Sequence, residues 1–152
     1  AAIFLFAALL TPAFSAPAAE VDSARLVSRG RPAAASSVED PRFAAFQAVD
    51  GNRKTRWSSQ FFDPQWIAID LGAPRRIEAV RLVWEKAHGR EYELQVSDDA
   101  KEWKRVYYTA HGRGGTETIT GLDAEGRYIR YFGTARGTVY GHSLREFEVY
   151  GD

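Results

Sequence analysis

The chain has 152 residues, with Lys+Arg 20 against Asp+Glu 20, no Cys and no Met. That length suits one domain, and 45% hydrophobic with 26% charged residues is a globular rather than a disordered composition. Zero formal net charge argues against a nonspecific nucleic-acid binder, and the missing Cys excludes a disulfide framework, a thiolate metal site and a Cys nucleophile.

In chain order, the first segment is AAIFLFAALL, apolar throughout, and no charge precedes Glu20. With Thr11-Pro12 and small residues after it, the run reads as a secretory h-region and cleavage zone. It falls short of the ~20 residues that cross a bilayer. Residues 1–19 are expected to be a secretory signal segment, truncated at its start, and residues 20–152 the folded module. The expected location is secreted, either extracellular or periplasmic.

The rest reads as a string of strands. Trp66–Leu71 alternates, with Ile67, Ile69 and Leu71 on one face, and Gly72-Ala73-Pro74 is expected to end it. Ile77–Trp84 is the next candidate, with Val80, Leu82 and Trp84 in phase. Tyr92–Ser97, Trp103–Tyr108, Tyr128–Phe132 and Leu144–Tyr150 follow, and Gly112–Gly115 is a loop. No long stretch has helical period. Short recurring strands predict an all-β antiparallel sandwich or barrel, with specificity in the loops at one end. The four Trp residues lie on strands or at strand ends, so each is expected in the core rather than in a binding face.

Three stretches together resemble one family: Ala48–Ser59 (AVDGNRKTRWSS), Trp66–Gly72 (WIAIDLG), and Gly126–Arg130 (GRYIR) with Glu146–Gly151 (EFEVYG). Tyr92–Asp99 and Glu102-Trp103 add to the match. The chain resembles a discoidin (factor V/VIII type C) domain and is most similar to the bacterial family 32 carbohydrate-binding modules. The resemblance implies a galactose-binding-domain-like β-sandwich (jelly roll) of about eight strands. It implies non-catalytic binding of an oligo- or polysaccharide by a module of a larger glycoside hydrolase. The alternative it leaves open is a protein-adhesion or lipid-head-group-binding discoidin domain.

Asp50, Asn52 and Thr55 place three oxygen-bearing side chains around Gly51. Read alone, such a loop is an Asx turn or a site for a hard cation such as Ca²⁺. The resemblance implies the second: a structural Ca²⁺ enclosed by this loop, by the Gln47 carbonyl, and by the Arg145 carbonyl with the Glu146 carboxylate.

A carbohydrate site needs an aromatic platform for the apolar face of a sugar ring and polar groups for its hydroxyls. The loops offer Glu39, Arg56, Phe61, Phe62, Glu85, His88, Tyr140 and His142. The set Glu39, Arg56, Phe61, Glu85 and Tyr140 is similar to the subgroup attached to chitosanases and β-glucanases. That likeness implies binding the end of a β-linked oligosaccharide, a β-glucan or an amino-sugar polymer. Relatives often carry Tyr at Phe61 and usually at His142. Arg56 has a salt-bridge role as its plainer reading, and the Phe61-Phe62 pair could insert into a membrane, but no basic cluster surrounds it. Gly-x-Ser-x-Gly, His-Glu-x-x-His and P-loop motifs are missing, so no catalytic activity is expected even though Glu39 and Glu85 could form a carboxylate pair.

Overall fold

A computed structural model describes residue 21 and residues 25–152. The expected signal segment lies outside the described residues. Among the described residues eight strands form: β1 (Ala33–Ala35), β2 (Trp57–Ser58), β3 (Gln65–Trp84), β4 (Gly89–Ser97), β5 (Lys104–Thr109), β6 (Thr116–Ile119), β7 (Ala124–Arg136) and β8 (Ser143–Gly151). Two short 3₁₀ turns, Pro41–Phe43 and Ala45–Ala48, precede β2. No described helix is long and apolar enough to cross a membrane.

The two strands expected at 66–71 and 77–84 are one strand of 20 residues. Gly72-Ala73-Pro74 does not end it. The ladder to β7 slips between Asp70 and Arg75, and Gly72 has φ +86, a left-handed conformation that glycine adopts without Cβ strain. Asp70 pins the irregularity. Its carboxylate accepts from Gly72 N at 2.8 Å and from Arg127 Nε and Nη2 at 2.9 and 3.0 Å. The Arg127 side chain holds the Asp70 carboxyl below its ordinary range.

Beyond the irregularity β3 changes partners. Up to Ile77 it pairs with β7, its start also with β1, and from Ile77 onward it pairs with β8 and β6. β4 extends one layer from β7 to β5, and β2 closes the other beside β8. Every ladder is antiparallel. The result is a β-sandwich whose layers share one strand. Its core takes Ile67, Ile69 and Leu71 from the first half of β3 and Val80, Leu82 and Trp84 from the second. Each fully buried Leu or Ile contributes roughly 1.5–3 kcal/mol.

Trp57 and Trp84 are core residues as expected, but Trp66 and Trp103 are only half-buried. The alternation that turns Ile67 inward turns Trp66 outward, and Trp103 lies over the Arg130 guanidinium at 4.2 Å.

Under one end of the sandwich, Trp84, Tyr92 and Tyr131 pack as an aromatic triad, with Tyr131 5.2 Å from Trp84 and 5.1 Å from Tyr92 between ring centroids. Burying such rings requires partners for their polar tips. Glu117 accepts from Trp84 Nε1 at 2.8 Å and from the Tyr92 hydroxyl at 3.2 Å. Tyr131 OH lies 2.7 Å from His142 Nδ1. This triad is the floor on which the loops at that end rest.

Candidate functional site

The loops over the aromatic triad enclose a cleft of about 420 Å³ lined by Glu39, Arg56, Ser58, Phe61, Glu85, Lys86, Ala87 and Tyr140. All five residues named for the sugar face line it together, although they come from segments spread over a hundred positions of the chain. Backbone ties bring them there. Glu39 N donates to Ser58 O at 2.7 Å, and Glu85 N donates to Ser143 O at 3.0 Å, with Ser143 returning a bond to Ala87 O at 2.8 Å. β2 and β8 are paired at Ser58 and Ser143, so both carboxylates hang from the same two-strand ladder.

Each cleft carboxylate has one oxygen engaged. Glu39 Oε2 accepts from Ser58 Oγ at 2.7 Å, and Glu85 Oε2 accepts from Ala87 N at 3.0 Å. These bonds hold the side chains in place and leave acceptor capacity for a ligand. Among the described residues Arg56 forms no salt bridge. Its guanidinium carbon sits 4.2 Å over the Phe43 ring, and its buried Nε has no partner. Phe61 and Tyr140 form the aromatic side. They meet edge to face at 5.7 Å and are 46% and 48% exposed.

Ser58, Lys86 and Phe43 were not anticipated. An exposed Lys beside Glu85 carries no local signal, and Phe43 bears on the cleft through the ring it places under Arg56. With Lys86 the cleft holds two carboxylates and two cations. Phe62 is exposed and does not line the cleft, nor does His88, whose Nδ1 lies 3.3 Å from Lys86 O.

His142 is a correction to the expected loop face: it is fully buried. Its Nε2 lies 2.8 Å from Asp63 Oδ1, and its backbone N–H donates to Ser59 Oγ at 2.8 Å. Burial pushes the imidazole below its ordinary value against the opposing hydrogen bond from Asp63. Burial would raise Asp63, but hydrogen bonds from His142 and from Arg136 hold it below the usual carboxylate value. A neutral ring therefore carries its single proton on Nε2, toward Asp63, and accepts from Tyr131 at Nδ1.

The Asp50 loop lies apart from the cleft. Asp50 Oδ1 accepts from Asn52 N at 2.9 Å and Oδ2 accepts from the Thr55 hydroxyl at 2.6 Å, while Asn52 Oδ1 accepts from Lys54 N at 2.9 Å. Gly51, at φ +76, allows the reversal. Glu146 is buried against this loop, and its Oε1 has no hydrogen-bond partner among the described residues. Burial, then the neighbouring Asp50 carboxyl, pushes Glu146 up to about 8. Gln47 Oε1 is likewise buried without a partner among the described residues. Among the described residues no three His, Cys, Asp or Glu side chains form a metal cluster, so a cation here would rely on two carboxylates with carbonyl, amide and hydroxyl oxygens.

The family model of the F5/F8 type C NedA-like, galactose-binding domain matches residues 47–131. Chitosan-binding module 1 of a chitosanase/glucanase from Paenibacillus sp. IK-5 is 44% identical with TM-score 0.80, covering 83% of this chain and 98% of that one. Module 2 of the same enzyme, solved in complex with chitotriose, is 41% identical with TM-score 0.80, covering 82% and 99%. A family 32 carbohydrate-binding module of Clostridium perfringens NanJ, solved in complex with galactose, has the same fold at 20% identity, TM-score 0.73, covering 83% and 98%. The polysaccharide lyase 8 family protein HylA of Enterococcus faecalis is 31% identical over 118 residues, 72% of this chain but only 8% of that protein's length. A sandwich whose layers share β3, a loop cleft at one end and these likenesses lead to one assignment: the chain belongs to the F5/F8 type C family of galactose-binding-like domains.

Proposed function

We propose that this chain is a non-catalytic carbohydrate-binding module that takes the end of a β-linked oligosaccharide in the cleft of Glu39, Arg56, Phe61, Glu85 and Tyr140. One observation carries the reading. Two partly engaged carboxylates, a stacked guanidinium and an exposed aromatic edge face one hollow of about 420 Å³. The ring pair offers apolar surface to a sugar ring, and the charged groups bond its hydroxyls. A protonated amino group would form a charge-assisted bond to either carboxylate, roughly twice as strong as a neutral one. Chitotriose is therefore the preferred ligand, and the likeness to the module solved with it supports the choice.

Binding is the whole task in this reading. The module tethers a larger polysaccharide-degrading enzyme to its substrate, a role suggested by the relatives' origin in a chitosanase/glucanase and by HylA. The apolar run of residues 1–10 supports export.

A structural Ca²⁺ belongs to the same proposal. The orphaned Glu146 Oε1 pressed against a second carboxylate fits a divalent ion. Asp50 and Glu146 would supply the charge, and Gln47, Asn52, Thr55 and Arg145 the remaining oxygens. Bound there, the ion would clip the loop before β2 to β8.

Titration calorimetry with chitotriose tests the binding. Micromolar-to-millimolar affinity is expected from a shallow site, between about −8.2 and −4.1 kcal/mol. Arg56→Ala and Tyr140→Ala should each weaken it, and mixed lipid vesicles should sediment without the protein. Release of reducing ends from chitosan would contradict the non-catalytic reading.

A further inference from the structure

We propose that Arg136, which does not line the cleft, is the positioning residue that sets its aromatic side. The inference rests on the carbohydrate reading only for its consequence on affinity. Phe61 and Tyr140 are about half exposed and touch each other edge to face. Rings with so little burial are placed by their backbones, and those backbones belong to two separate loops, one before β3 and one after β7.

Arg136 joins the loops. Its Nη1 donates to Phe61 O at 2.7 Å and lies 3.5 Å from Tyr140 O. The same side chain is anchored through Nε to Asp63 Oδ2 at 3.2 Å, and its backbone N–H reaches that oxygen at 3.3 Å. Asp63 is itself fixed by its other oxygen to buried His142, which rests on Tyr131 of the core triad. The planar fork thus spans both carbonyls and one carboxylate from a rooted position.

Lysine keeps the charge but not the fork. Its single ammonium can meet the carbonyls or the Asp63 carboxylate, not both, so it loses the anchor that Nε makes to Asp63. The Phe61 and Tyr140 carbonyls then lose their anchored shared donor, and the ring pair separates without any change in the cleft's charges, while the Ser59–His142 bonds keep the deeper parts of the two loops joined.

The experiment compares wild type, Arg136→Lys and Arg136→Gln by NMR and calorimetry. The Gln variant runs in parallel so that a folded protein is read if one substitution unfolds the chain. Expected is loss of the ring-to-ring NOE between Phe61 and Tyr140 in ligand-free protein. Chitotriose affinity should fall about tenfold, equivalent to 1.4 kcal/mol. In a background carrying Phe61→Ala and Tyr140→Ala, the same Arg136 substitution should change affinity no further, because its effect runs through the rings. An NOE retained in the folded variants overturns the assignment whether or not sugar binds. An equal affinity loss in the ring-less background overturns it too. Loss of the NOE in a protein whose wild type binds no chitotriose upholds Arg136 as the positioning residue and overturns the carbohydrate reading instead.

Discussion

The molecule holds two carboxylate pairs, and they are built differently. In the cleft, Glu39 and Glu85 hang from β2 and the end of β3, and each has one oxygen engaged by a hydroxyl or an amide. Where the loop before β2 meets β8, exposed Asp50 neighbours buried Glu146, one of whose oxygens has no hydrogen-bond partner among the described residues. The first arrangement is stable by itself and has acceptor capacity facing solvent. The second is costly by itself, because the Glu146 carboxyl is buried beside a second carboxyl and is held to its neutral form up to about pH 8. Separation suits a site that meets its ligand transiently, and compression suits a site completed by a resident cation.

Metal removal should break this contrast most strongly. Adding Ca²⁺ to chelator-treated protein should raise the melting temperature, because a ligand that binds only the folded state at a hundredfold excess over Kd contributes about 2.7 kcal/mol. For a domain of this size that is roughly 5–11 °C. Asp50→Ala should abolish the rise, and Glu39→Gln should leave it intact. A scanning-calorimetry trace unmoved by Ca²⁺ would make the loop an ordinary Asx turn.

A smaller effect sharpens the account of what supports the cleft. Tyr131→Phe removes the hydroxyl that satisfies buried His142 Nδ1, so an acceptor is left unpaired at a cost of about 1–3 kcal/mol. Urea unfolding would measure it, and a midpoint equal to wild type would mean that the bond contributes nothing.

The smallest effect is a pH dependence. His142 is held below its ordinary value in the fold, so below about pH 6.5 the unfolded chain takes up a proton that the folded chain does not. Stability from this group is full above that pH and lost as pH falls toward the folded value. The raised Glu146 works in the opposite direction, losing stability as pH rises from its ordinary value toward about 8. The clean quantity is therefore a difference. Between pH 7 and pH 5 the melting point of wild type should drop relative to that of His142→Gln. Parallel curves would assign the buried imidazole no role in acid sensitivity.

Much of the sandwich was legible because a half-buried strand imposes period two. Ile67, Ile69 and Leu71 were read as one face and are fully buried. The joint at Gly72 is not legible for a local reason: Gly-Ala-Pro has turn composition, and only the ladders to β7, β8 and β6 carry the strand through. β1, β2 and β6 were missed because segments of two to four residues have no period to detect. The five cleft positions were found through family likeness, since no spacing rule links Glu39 to Tyr140. Lys86 and Arg136 escaped because their roles exist only across loops. His142 looked like a loop ligand, yet Asp63 and Tyr131 satisfy both its ring nitrogens inside the core.

In the proposed complex the Glu85 carboxylate faces an amino sugar in the cleft. This contact is tested most directly by titrating wild type and Glu85→Gln with chitotriose and with a neutral β-linked glucose trimer. A hydrogen bond to a charged group contributes about 1.5–3 kcal/mol, so Glu85→Gln should weaken chitotriose binding roughly ten- to a hundredfold and the neutral trimer far less. Unchanged affinity of the variant for both sugars would contradict the account.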